Sequence, residues 1–179
     1  MQRIDIPPDR LVLPVARAWE TQWFLLAAGE YPSGWNCMTV AWGGYGTMWS
    51  RPVAMVVVRP TRYTYTFMEK CATFTLCAFP EEHHDKLDYL GRRSGRDEDK
   101  VKKVGLTPIP SRAVPAPGFD EAGLIVECRK IYFHDFDPAH FLVDYIAPNY
   151  PARDFHRMYL GEILAVSGSQ KYLGQEPPA

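Results

Sequence analysis

The sequence predicts a mainly β, barrel-like domain with a few short helices. Apolar runs of strand length, rich in β-branched and aromatic residues, recur at residues 23–28, 53–58, 73–79 and 123–133. Gly, Pro and Asn/Ser punctuation separates them, and the helix-like stretches between them are short. Many strands with few helices favour a barrel-like architecture.

The length of 179 residues fits one domain and suffices to bury a core, and 46% hydrophobic content excludes a disordered chain. A formal charge of −1 argues against nucleic-acid binding, which normally shows a basic excess. No apolar run approaches the roughly 20 residues of a membrane span, and the N-terminus lacks a signal-type apolar segment. Cys37, Cys71, Cys77 and Cys128 show no C-x-x-C spacing. A soluble, cytoplasmic protein with reduced thiols is expected.

Residues 1–16 are proline-punctuated and predict an arm laid on the domain surface or on a partner subunit. Trp23-Phe24-Leu25-Leu26-Ala27-Ala28 fits strand or helix on periodicity alone. The Glu30-Tyr31-Pro32-Ser33-Gly34 turn that follows, leading into residues 35–42, favours strand. Gly43-Gly44-Tyr45-Gly46 and a short link then separate two apolar runs. Residues 53–58 read as a strand buried on both faces and stopped by Pro60, which has no N–H to give a ladder. Thr61 is expected to cap a helix over residues 62–70.

Residues 73–79 alternate as a strand. Pro80-Glu81-Glu82 opens a helix to about Leu90, with acids at its positive end. Residues 91–100 read as a glycine-hinged loop leading into a short helix that stops near Gly105. Residues 108–118 hold four prolines and are expected to be an extended connection. Residues 123–133 form the longest strand candidate, 137–155 a loop or helical segment, and 158–166 the final strand. Residues 168–179 read as a frayed tail. No repeat or linker divides the chain, so residues 1–179 are read as one domain.

The chemistry concentrates at the end of the 53–58 strand. A helix beginning there leaves first-turn N–H groups without intrahelical acceptors. Arg59, Arg62, Thr61 and Thr64 surround them. Such a terminus is an anion site and points to a phosphate.

Three motifs stand in order: Asn36-x-Met38-Thr39-x-x-Trp42-Gly43, Val58-Arg59-Pro60-x-Arg62-Tyr63-Thr64 and Ser94-Gly95-Arg96-Asp97-x-Asp99-Lys100. Glu121-Ala122, Glu127-Cys128 and Leu160-Gly161-Glu162-Ile163 follow. Together they resemble the flavin reductase-like, flavoredoxin-type FMN-binding split barrels, over roughly residues 20 to 166. The N-terminal arm and residues 137–155 lie outside the pattern. The resemblance implies a Greek-key split β-barrel, FMN as cofactor, and a homodimer with FMN near the subunit interface. It also implies transfer of hydride or electrons from NAD(P)H through FMN to a flavin, ferric or other small acceptor. The alternative is a flavoredoxin-like electron carrier with no nicotinamide step. A third reading is a barrel that has lost its cofactor and serves as a dimeric binding module.

On this resemblance Arg59, Arg62 and Thr64 hold the phosphate, with Pro60 and Tyr63 shaping the helix start. Ser94 and Arg96 add to the phosphate site from across the pocket, with Gly95 between them. Met38 and Trp42 wall the ring slot, and Asn36, Thr39 or nearby backbone N–H groups meet its polar edge. Asp97 and Lys100 pair with each other or orient Arg96. Solvated surface charge remains the plain alternative for Arg59, Arg62 and residues 94–100. Likewise Asn36 can cap a turn, and Met38 and Trp42 can be core.

No catalytic side chain is assigned, because the chemistry would sit on the flavin. His83 and His84 are adjacent, and His134, His140 and His156 have no companion at ligand spacing, so no metal site is expected. Cys37 is expected to pack as a small hydrophobe. No G-x-G-x-x-G follows a strand, so a nicotinamide donor would have to stack directly over the flavin.

Overall fold

The computed structural model describes residues 2–176. Its sheet runs β3 (Trp35–Val40), β2 (Phe24–Gly29), β6 (Thr73–Ala78), β9 (Leu124–Asp135), β10 (Arg157–Gly168), β5 (Arg51–Val58), β4 (Gly43–Met48), and every pairing is antiparallel. Strand β1 (Ile4–Asp5) adds to β10. The terminal strand β3 comes back to approach β5 without a ladder between them. The sheet therefore curls into a barrel that is split at that seam. Among the described residues no helix is long and apolar enough to cross a membrane.

Both faces of β2 are buried, which is why it reads as an unbroken apolar run. Phe24, Leu26 and Ala28 enter the larger core with Trp19, Val56, Phe74 and Tyr159. Leu25 and Ala27 enter a second core under α3 (His84–Arg92) and α4 (Lys100–Val104), with Leu87, Leu90 and Val101. Cys37 packs in this second layer, and burial pushes its thiol up to about 12, which makes it inert. At Gly161 an added Cβ would lie 2.5 Å from the Phe74 ring, so the β10 backbone crosses the core only as glycine.

Several expectations are corrected. The glycine segment after residue 42 is itself a strand, β4, because β5 supplies its ladder regardless of glycine's weak strand preference. Gly91 and Arg92 belong to α3 rather than to the loop. The tail expected to fray is bonded as far as Gly174, whose N–H donates to Arg10 O at 2.8 Å, while residues 177–179 of that tail lie outside the described residues. The arm lies on its own barrel, one of its two expected placements, with Ile6 buried and Leu11 bridging to Leu173, and it leads into α1 (Val15–Arg17). Residues 108–118 remain an extended connection, with β7 (Pro108–Ile109) pairing β8 (Gly118–Phe119) at its ends.

Two local features carry measurable cost. The β4–β5 hairpin turns through Trp49 and Ser50, at φ 51° and 58°. A two-residue turn of this kind favours Asn-Gly. Trp49→Asn with Ser50→Gly is expected to raise stability by roughly 1–2 kcal/mol. A higher urea midpoint at unchanged slope would report it; an unchanged midpoint would mean the turn is not strained. The second feature is the buried Tyr45 hydroxyl, which has no hydrogen-bond partner among the described residues. Tyr45→Phe is expected to gain about 1 kcal/mol by removing that unmatched group, and a lowered thermal midpoint would contradict this.

Candidate functional site

β5 ends at Val58, and Arg62 N donates to Arg59 O at 3.0 Å, closing a turn around Pro60 and Thr61. This turn uses Thr61, so α2 (Tyr63–Lys70) starts one residue later than expected, with Arg62 at the N-cap and no side-chain cap. Tyr65 N–H donates to Arg62 O at 3.0 Å, which leaves the Tyr63 and Thr64 N–H groups, among the described residues, open to an outside acceptor.

Around this terminus the structure assembles residues from three distant stretches. Asn36, on β3, donates from Nδ2 to Thr64 Oγ1 at 2.8 Å. Thr64 is 1% exposed, and with that lone pair occupied its own hydroxyl hydrogen remains to be donated. Gly95 lies so close that an added Cβ would sit 2.2 Å from Asn36 Oδ1. Only glycine lets the 93–97 loop approach. Ser94 Oγ accepts from Arg96 N at 3.2 Å, and the Arg96 guanidinium lies 4.7 Å above the Tyr63 ring.

That loop is held by the end of α3. Lys100, nearly fully buried, donates from Nζ to Leu90 O at 2.9 Å and Arg93 O at 3.0 Å, and Arg62 donates to Gly91 O. Two cations thus satisfy the carbonyl end of α3, where the helix dipole is negative. Burial lowers the Lys100 pKa, and burial followed by the nearby Arg59 charge lowers that of Arg62. Lys100 pairs with carbonyls instead of Asp97, whose N–H donates to Ser94 O at 3.2 Å. The result is a hollow of about 100 Å³ lined by Asn36, Met38, Thr64, Arg62, Ser94 and Arg96. It adjoins a groove of about 750 Å³ that shares Asn36, Gly95, Arg96 and Lys100. The donors converging here are two guanidiniums, a buried hydroxyl and open helix N–H groups, and this set suits a phosphate.

Arg59 and Trp42 do not join this cluster. Arg59 donates to Asp154 Oδ1 at 2.8 Å and Asn149 O at 2.7 Å, and stacks 4.9 Å over Tyr150. Trp42 is 45% exposed and lies 5.0 Å from the His156 ring. Thr39 donates to Leu87 O at 2.5 Å, tying β3 to α3. Strand β3 runs from the anion cluster at Asn36 toward Trp42, about 20 Å at roughly 3.3 Å per residue.

At that far end stands a group that sequence spacing missed. His156 is 9% exposed, and its Nδ1 shares a 2.8 Å hydrogen bond with the Tyr150 hydroxyl. Burial, then the Arg59 charge, lowers its pKa to about 4, so the ring is neutral at pH 7. Its neighbours are Trp42, Arg59, Phe136 and Tyr150, drawn from separate stretches, so no local spacing announces it. Among the described residues no group of His, Cys, Asp and Glu could hold a metal ion.

Residues 17–175 match the family model described as the flavin reductase like domain. An uncharacterized protein of Archaeoglobus fulgidus is 28% identical over 109 residues, covering 60% of this chain and 59% of that protein's length. Among solved structures, flavoredoxin of Desulfovibrio vulgaris (Miyazaki F) is similar at 26% identity and TM-score 0.65, covering 89% of this chain and 75% of that one. The FMN-binding domain of a flavin reductases-like enzyme from Shewanella baltica shares the fold at 15% identity and TM-score 0.67, covering 93% and 77%.

Proposed function

This chain belongs to the flavin reductase-like domain family, and we propose that it is an FMN-dependent oxidoreductase. The observation that carries the reading is the cradle in which Gly95 approaches Asn36, itself bonded to Thr64, with Arg62 and Arg96 lining the same hollow. Thr64, Ser94, Arg62 and Arg96 would hold the phosphate. Asn36 and Met38, on one face of β3, would line the path along it, with Trp42 and His156 at its far end. When bound, FMN would supply hydride and electron transfer between NAD(P)H and a flavin, ferric or other small acceptor. The neutral His156 adds no positive charge there.

The working form is proposed as a homodimer with FMN near the interface. The exposed, neighbouring rings of Trp49 and Tyr132 favour a second copy as their cover. A second reading, a flavoredoxin-like electron carrier without its own nicotinamide step, is favoured by the 26% identity to flavoredoxin. The visible spectrum of the purified protein, repeated anaerobically with NADH or NADPH, separates the two. A flavin spectrum that bleaches with either nucleotide supports the oxidoreductase. Bleaching only with dithionite favours the carrier. No flavin after reconstitution with FMN would overturn both.

A further inference from the structure

A second cavity, of about 480 Å³, lies at the opposite end of α3 from the anion cluster. Its floor is apolar and buried, formed by Phe79 and Leu87. Arg17, Thr21, Glu81 and His84 line it around that floor. Arg17 and Glu81 are both exposed. Among the described residues neither side chain takes part in an ion pair or hydrogen bond, with the other or with any third group. Two charged residues of opposite sign, neither in an ion pair, therefore line one cavity with an apolar base.

The Arg17 wall has an unusual backbone. Ala18–Gln22 form a single π-helical turn, and Trp23 follows at φ 61° and ψ 167°. π-Turns and bulky residues at positive φ are uncommon and cluster at functional sites. This conformation stacks the Trp23 ring on the His84 imidazole, with centroids 4.2 Å apart and planes at 29°. Trp23 Nε1 donates to Glu20 O at 3.1 Å. His84 is thereby held against the wall of the cavity.

We propose that this cavity binds a small zwitterion with an apolar side chain, a free hydrophobic α-amino acid. Its carboxylate meets Arg17, its ammonium meets Glu81, and its side chain lies on Phe79 and Leu87. A ligand of one sign leaves one of the two protein charges unmatched, and an uncharged one leaves both. The volume is that of a small-molecule site with a few convergent polar groups.

The test is calorimetric titration of the full chain with L-phenylalanine. Saturable binding is expected, weakened at least about tenfold by Arg17→Gln and by Glu81→Gln, each of which removes one charge-assisted contact. 3-Phenylpropionate and phenethylamine, which each lack one charge, are expected to bind more weakly than L-phenylalanine by a similar factor. Both substituted residues are exposed, so circular dichroism should report folded protein in each variant. No saturable heat at millimolar L-phenylalanine would overturn the proposal. So would binding that neither substitution weakens.

Discussion

Replacing Arg62 and Arg96 together with alanine is expected to weaken FMN binding by about 3–6 kcal/mol, a charge-assisted hydrogen bond contributing roughly 1.5–3 kcal/mol each. Arg96 has no ion pair among the described residues, only the Tyr63 ring beneath it, so its donors are available. Arg62 caps Gly91 and lines the same hollow. Arg59→Ala provides the contrast. Its guanidinium is engaged by Asp154 and Asn149, so its loss should change FMN affinity by well under the effect of either other arginine. Fluorescence titration of FMN measures all three variants. Wild-type affinity in the Arg62/Arg96 double variant would remove the phosphate assignment, and a large loss in Arg59→Ala would return that residue to the site.

Acid is expected to destabilise the fold through His156. Its folded pKa of about 4 lies below the ordinary value of 6.5, so the unfolded chain binds the proton more readily. The associated stability is full above pH 6.5 and is lost as the pH falls toward 4. The shift corresponds to about 3 kcal/mol. Urea midpoints at pH 7 and pH 4.5 should differ in the wild type. His156→Asn, which keeps an acceptor near the Nδ1 position, should flatten that difference. An equal fall with pH in the variant would place the acid sensitivity elsewhere.

The strands were legible because their signals are local. Pro60 ended β5, the Glu30–Gly34 turn joined β2 to β3, and the 123–133 run, from its second residue on, lies in one of the two longest strands. β4 was not legible, since its glycines carry no apolar pattern and only the partner β5 makes it a strand. The anion cluster was half legible. Arg62, Thr64, Ser94 and Arg96 stand in motifs, yet the bond from Asn36 to Thr64 joins residues that only the fold brings together. The same limit hid the role of Arg59. Its charge looks free in sequence, and its partner Asp154 lies in a stretch that no motif reaches. His156 was set aside for want of neighbours at ligand spacing, whereas its neighbours are spatial.

Residues 137–155 leave the barrel and return to it at one rung, where Asp135 faces Arg157 across the β9–β10 ladder and the two side chains also form an ion pair. Because the stem closes itself, the excursion adds little chain-entropy cost that depends on its length. It behaves as a cassette. Its sequence can be exchanged or lengthened while the β9–β10 stem remains paired, and the contacts it makes through Asp154 and Tyr150 travel with it. Variation between related barrels is therefore expected to accumulate here, beside Trp42 and His156.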